Sequence, residues 1–235
     1  DLLRQRLEYA QTQKHSPDQP SSASLHVRAS DWFAGQGFDL EAFHHAVRAG
    51  DIDRARHIAE RGMMPLHFRG AAVPVLAWLS SLPVAELDAR PTLWVTFASA
   101  TLFRNKTAGI AEMLRRAEAH FRDVADSPEL RDQRGRMASI RATVAVARGD
   151  ADEIIKQATL ALSLLDPANL PVRVSCTWAL GVAHQFKGER VAARKAFVEA
   201  LGKSEALNHH IMRLMSSMGL GNIQEADGEH ADAIT

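Results

Sequence analysis

Gly149, Gly188 and Gly228 are separated by 39 and then 40 residues, and each follows a helical run and precedes a polar or acidic start. A helical period near 40 constrains the fold strongly. One such unit cannot bury its apolar face alone, so copies have to stack on one another. Period-2 alternation of β-branched and aromatic residues never extends beyond a few positions, whereas helical periodicity runs almost throughout. Runs of about 12 to 20 residues separated by short breaks suit antiparallel neighbours. The expected fold is therefore all-α, a right-handed superhelical solenoid of antiparallel helix pairs.

The breaks carry their own chemistry. Pro91 stands where a helix can begin. Ser127-Pro128-Glu129 supplies an N-cap serine, a proline at the first helical position and an acid beside the positive end of the helix dipole. Asp150 with Glu153 imitates a capping box, and Pro167 and Pro171 bracket another turn. Gly50, Gly149, Gly188 and Gly228 suit the left-handed position that ends a helix.

The clearest copy of the repeat runs Leu180-Gly181, His184, Gly188, Ala193, Phe197 and Ala200. This order resembles the tetratricopeptide pattern, in which small residues let two helices approach and large ones fill the gap beside them. A weaker copy precedes it, with Ala142, Gly149, Ala158 and Ala161, and another follows, with Leu220-Gly221 and Gly228. An earlier copy is expected to turn at Asn105, with Leu114 and Ala117. The Gly50 turn with Ala55 and Ala59 is the candidate start of the series. A non-repeating helical bundle with chance spacings is the alternative.

Composition excludes several function classes. The 28 basic and 28 acidic residues cancel, leaving no surplus of the kind that holds a phosphate backbone, so no nucleic-acid partner is expected. Charged residues or histidine interrupt every apolar run well short of the roughly 18 needed to span a bilayer, so no membrane partner is expected either. Cys176 is the sole cysteine. It allows no intramolecular disulfide or thiolate cage, fits a reducing cytoplasm, and reads as a small core residue. The chain starts at Asp1 and stops at Thr235 without a terminating signal, and the expectation is a segment of a longer protein. Leu2, Leu3 and Leu7 read as the end of one helix. Lys14 to Ser22, with Pro17, Pro20 and three serines, reads as a linker.

Catalytic signatures are missing. Gly202-Lys203-Ser204 has the tail of a phosphate loop, but Phe197 stands where its first glycine belongs, and the segment lies on a repeat helix. Neither the zinc-protease nor the serine-hydrolase string occurs. The pairs His44-His45 and His209-His210 point about 100° apart on a helix, so they read as surface or helix-end residues rather than metal ligands. No catalytic residue, metal or cofactor is expected in this segment, and an enzyme is unsupported. Arg134, Arg141 and Arg148, with Arg131 nearby, form a seven-residue stripe. It reads either as a grip on an anionic ligand or as a solvated or interdomain face.

Leu25 to Phe33, Gly37, Glu41 to Asp51 and Ala55 to Glu60, followed by Val75 to Pro83, Leu87 and Arg90-Pro91, resemble the stretch after the winged-helix domain in the MalT-like group of large ATP-dependent LuxR-family regulators. The resemblance implies a sensor region that binds a small-molecule inducer and couples it to self-association and transcription activation. Its partners would be the inducer, other domains of the same chain and further copies of the full-length protein, with the ATPase and DNA-binding modules lying elsewhere. It divides the chain into a winged-helix tail and linker at 1–20, a helical lead-in at 21–90, and a repeat sensor domain at 91–235, truncated at its C-terminal end. The alternative function is a scaffold whose groove takes a peptide or partner protein. Sugar, aromatic compound, fatty acid and peptide all remain open as the inducer.

In a tetratricopeptide solenoid the first helix of each pair lines the concave face. Register from Leu180-Gly181 sends Ser175, Trp178, Val182 and Gln185 to that face. Carried by the turn glycines, it adds Arg136, Ser139 and Thr143, then Met215, Met218 and Asn222. An aromatic platform, thioethers and a few hydrogen-bonding groups are what a small-molecule pocket offers. Trp178 and the two methionines also fit core packing, since a one-residue register error turns each inward. Trp32, Trp78 and Trp94 read as structural.

Overall fold

Local capping starts the helices where the sequence places them. In the computed structural model, which describes residues 20–61, 64–103, 107–226 and 228, Ser127 Oγ accepts from Leu130 N at 3.1 Å and Asp150 Oδ1 from Glu153 N at 3.1 Å. Glu153 does not complete a capping box. Its carboxylate takes Gln157 Nε2 and Lys156 Nζ instead. Removing the first cap, Ser127→Ala, should cost about 1 kcal/mol, read as a lower urea midpoint with an unchanged slope.

The described residues form twelve α-helices and one 3-10 turn and include no strand. They fall into two compact units that divide between Ala59 and Glu60. The first holds α1 (Ser22–Gly35), α2 (Asp39–Ala49) and nearly all of α3 (Ile52–Glu60). Gly50 ends α2 at φ +73°, and Ser30 Oγ donates to Ala42 O at 2.9 Å across the α1–α2 packing. Arg54 ties Asp51 and Asp31 together. Trp32 departs from the structural role expected of it, being 59% exposed.

The second unit begins with a 3-10 turn (Leu66–Arg69), then α4 (Ala72–Ser81) and the short α5 (Val84–Asp88). Three helix pairs follow: α6 (Thr92–Leu102) with α7 (Ile110–Phe121), α8 (Pro128–Arg148) with α9 (Ala151–Leu164), and α10 (Leu170–Phe186) with α11 (Arg190–Ala206). The last described helix is α12 (His210–Ala226). Each helix packs on its chain neighbour within a pair, and the first helices also touch one another, α6 on α8, α8 on α10 and α10 on α12. That second set of contacts makes the unit an all-α, tetratricopeptide-like solenoid rather than a bundle.

Small residues sit where helices approach closely. Ala142, Ala158, Ala161, Ala193 and Ala200 are buried in the same core cluster as Phe197, which is itself fully buried. An atom added at Gly181 of α10 would lie 2.7 Å from the Phe197 ring, and one at Gly219 of α12 would lie 2.6 Å from it. The glycine that meets the ring from α12 is thus Gly219, two positions before the expected Gly221, which has nothing within 4 Å.

The first members of the turn series differ from the sequence reading, with Gly70 and Gly109 keeping the period that Gly50 does not. Gly70, Gly109, Gly149, Gly188 and Gly228 all have φ between +70° and +92°, and their positions advance by 39, 40, 39 and 40 residues. Asn105, the expected earlier turn, lies outside the described residues, as do Leu2, Leu3, Leu7 and most of the linker. Trp78 and Trp94 are buried. Trp94 donates Nε1–H to Asp88 at 2.9 Å under the Arg116 guanidinium.

Candidate functional site

A cavity of about 520 Å³ opens among the first helices of the solenoid, within the size range of small-molecule sites. The 3-10 turn supplies Pro65, His67 and Phe68, and α6 and the residue after it supply a strip from Val95 to Phe103. From α8 come Arg136, Ser139 and Thr143, from α10 Ser175 and Trp178, and from α12 Met212 and Met215.

Six of the ten residues expected on the concave face therefore share one cavity: Arg136, Ser139, Thr143, Ser175, Trp178 and Met215. The other four lie elsewhere. Val182 packs against the helix core and Gln185 is half-buried, while Met218 is 55% exposed and Asn222 is exposed. Val182, Gln185 and Asn222 stand in the C-terminal halves of α10 and α12 and Met218 at the midpoint of α12, whereas the cavity draws on nothing beyond Trp178 in α10 or Met215 in α12.

Trp178 serves two purposes at once. It lines the cavity, yet only 6% of it is exposed and it belongs to the packed core. Truncating it would cost stability as well as contacts, so it is a poor probe of binding alone.

Four of the five hydroxyls along the wall have partners among the neighbouring groups. Thr143 Oγ1 donates to Ser139 O at 3.1 Å, Ser175 Oγ to Pro171 O at 3.1 Å, and Thr96 Oγ1 to Glu60 at 2.7 Å. Ser99 Oγ is 3.0 Å from His67 Nε2, and His67 Nδ1 is buried with no partner. Burial, with the nearby Arg136 charge and His209, pushes the His67 pKa down to about 3, so its ring is neutral at pH 7. Arg136 Nε lies 3.2 Å from Asp132 Oδ2 as an ion pair without hydrogen-bond geometry, while Asp132 Oδ1 accepts from Asp166 N and Asn169 Nδ2, at 3.0 Å each.

His209 stands at a helix end, directly before α12, as one of the alternatives for it had it. His209 is not at the surface: it is 1% exposed, its ring 5.3 Å from that of Phe68, and burial lowers its pKa to about 4. Of the two readings of the arginine stripe, the grip on an anionic ligand is the one the cavity does not support, since none of these arginines lines it. Arg141 pairs with Glu118 at 2.6 Å, Arg134 reaches Phe121 O and Asp126, and Arg131 also lies near Asp126, so much of the stripe joins α8 to α7 and the turn between them. Cys176 is buried, and burial raises its pKa to about 11, as expected of an unreactive core thiol. Among the described residues no group of three metal-ligating side chains converges, and no helix is long and apolar enough to cross a membrane.

Sequence reasoning missed the wall outside the clear repeats, Pro65 to Phe68 and Val95 to Phe103. Its one signal was the Gly70–Gly109–Gly149 spacing, which puts the 65–69 turn in phase with the ends of the first helices.

Residues 135–235 match the family described as the MalT-like TPR region. The chain is 30% identical over 165 residues to the "HTH-type transcriptional regulator MalT" of Yersinia enterocolitica serotype O:8, an alignment covering 70% of this chain and 18% of that protein. It is also 30% identical over 169 residues to the protein of the same name from Yersinia pestis strain Pestoides F, covering 72% and 19%. The chain thus spans about a fifth of the length of the curated relatives it matches. No solved structure matches it.

Proposed function

Because residues 135–235 match a MalT-like TPR region and the chain is similar to HTH-type transcriptional regulators, we propose that it is the effector-sensing part of a cytoplasmic transcriptional activator. A small-molecule inducer occupies the cavity. The observation that carries this reading is the convergence of four first helices and the 65–68 turn on one mostly apolar space with a few polar groups.

The inducer binds one arrangement of these helices better than another, since equal affinity for both shifts nothing. The favoured arrangement is the one competent for self-association of the full-length protein, and transcription activation follows from that. Nucleic acid and membrane are not partners of this region.

A thermal-shift screen of the chain against sugars, aromatic compounds, acyl compounds and nucleotides tests the reading. A true ligand at about 100 times its Kd stabilises by about 2.7 kcal/mol, roughly 5 to 11 °C for a chain of this size. The shift should vanish in Thr143→Trp and in Ala147→Phe, which fill the cavity from its half-buried wall and from its exposed rim. A flat screen would favour instead a scaffold whose groove takes a peptide or partner protein.

A further inference from the structure

The chemistry of the cavity wall restricts what can occupy it. Among the described lining residues Arg136 is the one formal charge, and no Asp, Glu, Asn or Gln lines the space. A neutral oligosaccharide presents many hydroxyls that need donors and acceptors, and here three of the five wall hydroxyls are already donating, to Ser139 O, Pro171 O and Glu60. The apolar body of the wall is large instead, with Phe68, Phe103, Trp178, Met212 and Met215 from four separate segments.

The polar end has spare donors. Asp132 pairs with Arg136 at 3.2 Å, yet Arg136 Nε is buried without a hydrogen bond, so the guanidinium keeps a donor for a further acceptor. When Ser99 donates to Nε2 of the neutral His67, the ring hydrogen sits on Nδ1, a buried position without a partner. One cation, already paired with the Asp132 carboxylate 3.2 Å away, can take at most a single further negative charge. A phosphate, with nearly two charges at pH 7, calls for more than one.

Resting on the effector-site reading above, we propose that the cavity takes a small apolar monocarboxylate, its carboxylate against Arg136 and its hydrocarbon body against Phe68, Phe103, Trp178 and the two methionines. The acid belongs to the aliphatic or the arylalkanoic series, and the two share this recognition.

Isothermal titration of the 235-residue chain with decanoate and with 3-phenylpropionate, each against its uncharged primary amide, tests the assignment. At least one acid should bind, with its amide about tenfold or more weaker, because a charge-assisted hydrogen bond is lost. Which acid is tighter distinguishes an aliphatic from an aromatic body. Arg136→Gln should weaken the acid about tenfold and leave the amide unchanged, while Arg136→Lys should keep part of the preference. If Arg136→Gln fails to fold, the wild-type comparison of acid with amide and the Lys variant still decide.

Amides binding as tightly as acids, with both lost in Ala147→Phe, would overturn the carboxylate assignment and leave the effector site standing. A different chemical class binding at that cavity, with neither acid bound, would do the same. No binding by any class would overturn both.

Discussion

Replacing Phe197 with alanine should lower the stability of the repeat unit by about 3 to 5 kcal/mol, roughly 6 to 20 °C in melting temperature. Phe197 is fully buried, and glycines on the two flanking first helices, Gly181 and Gly219, approach its ring. One side chain thus sits between α10, α11 and α12, so its loss leaves a void that a packed core fills only in part. The glycines should respond in the opposite sense to added volume. Gly219→Ala places a methyl group 2.6 Å from the ring, an overpacking that costs about 1 to 3 kcal/mol even after the gain in helix propensity. In the Phe197→Ala background the same methyl group enters the cavity just made, so Gly219→Ala should become neutral or stabilising. A double-mutant cycle measured by urea unfolding reads that coupling directly. Additive effects would mean that the ring and the glycine do not share a contact.

Acid should destabilise the fold well above the pH at which carboxylates protonate. His67 and His209 are almost wholly buried, with pKa values lowered to about 3 and about 4, chiefly by burial. In the unfolded chain both bind a proton below about pH 6.5. Between that pH and about 4 the unfolded state therefore holds more protons than the folded one, and stability falls as pH falls. At pH 5 the loss is about 2 kcal/mol for each histidine, some 4 kcal/mol together relative to pH 8. Urea midpoints collected from pH 8 to pH 5 should show this decline. His209→Leu should remove about half of it without giving up a hydrogen bond, since neither ring nitrogen of His209 has a partner. A stability curve flat across that range would place both rings in contact with water.

The parts of this protein written in local sequence are those that depend on period and capping. The 39- and 40-residue glycine advance, the Ser127 and Asp150 caps, and the alanines around Phe197 specify paired helices and their stacking, because each acts within a turn or between adjacent helices. Register alone brought Arg136, Ser139, Thr143, Ser175, Trp178 and Met215 to one face. Periodicity treats every turn of a first helix alike, so it could not separate these from Val182, Gln185, Met218 and Asn222. The tertiary structure made that separation, by setting the 65–68 turn and α6 around the N-terminal halves of α10 and α12. It also buried His67 and His209, whose sequence neighbours gave no sign of it. Burial is decided by contacts between segments more than 100 residues apart, such as Phe68 on His209, and no local pattern encodes a contact of that range.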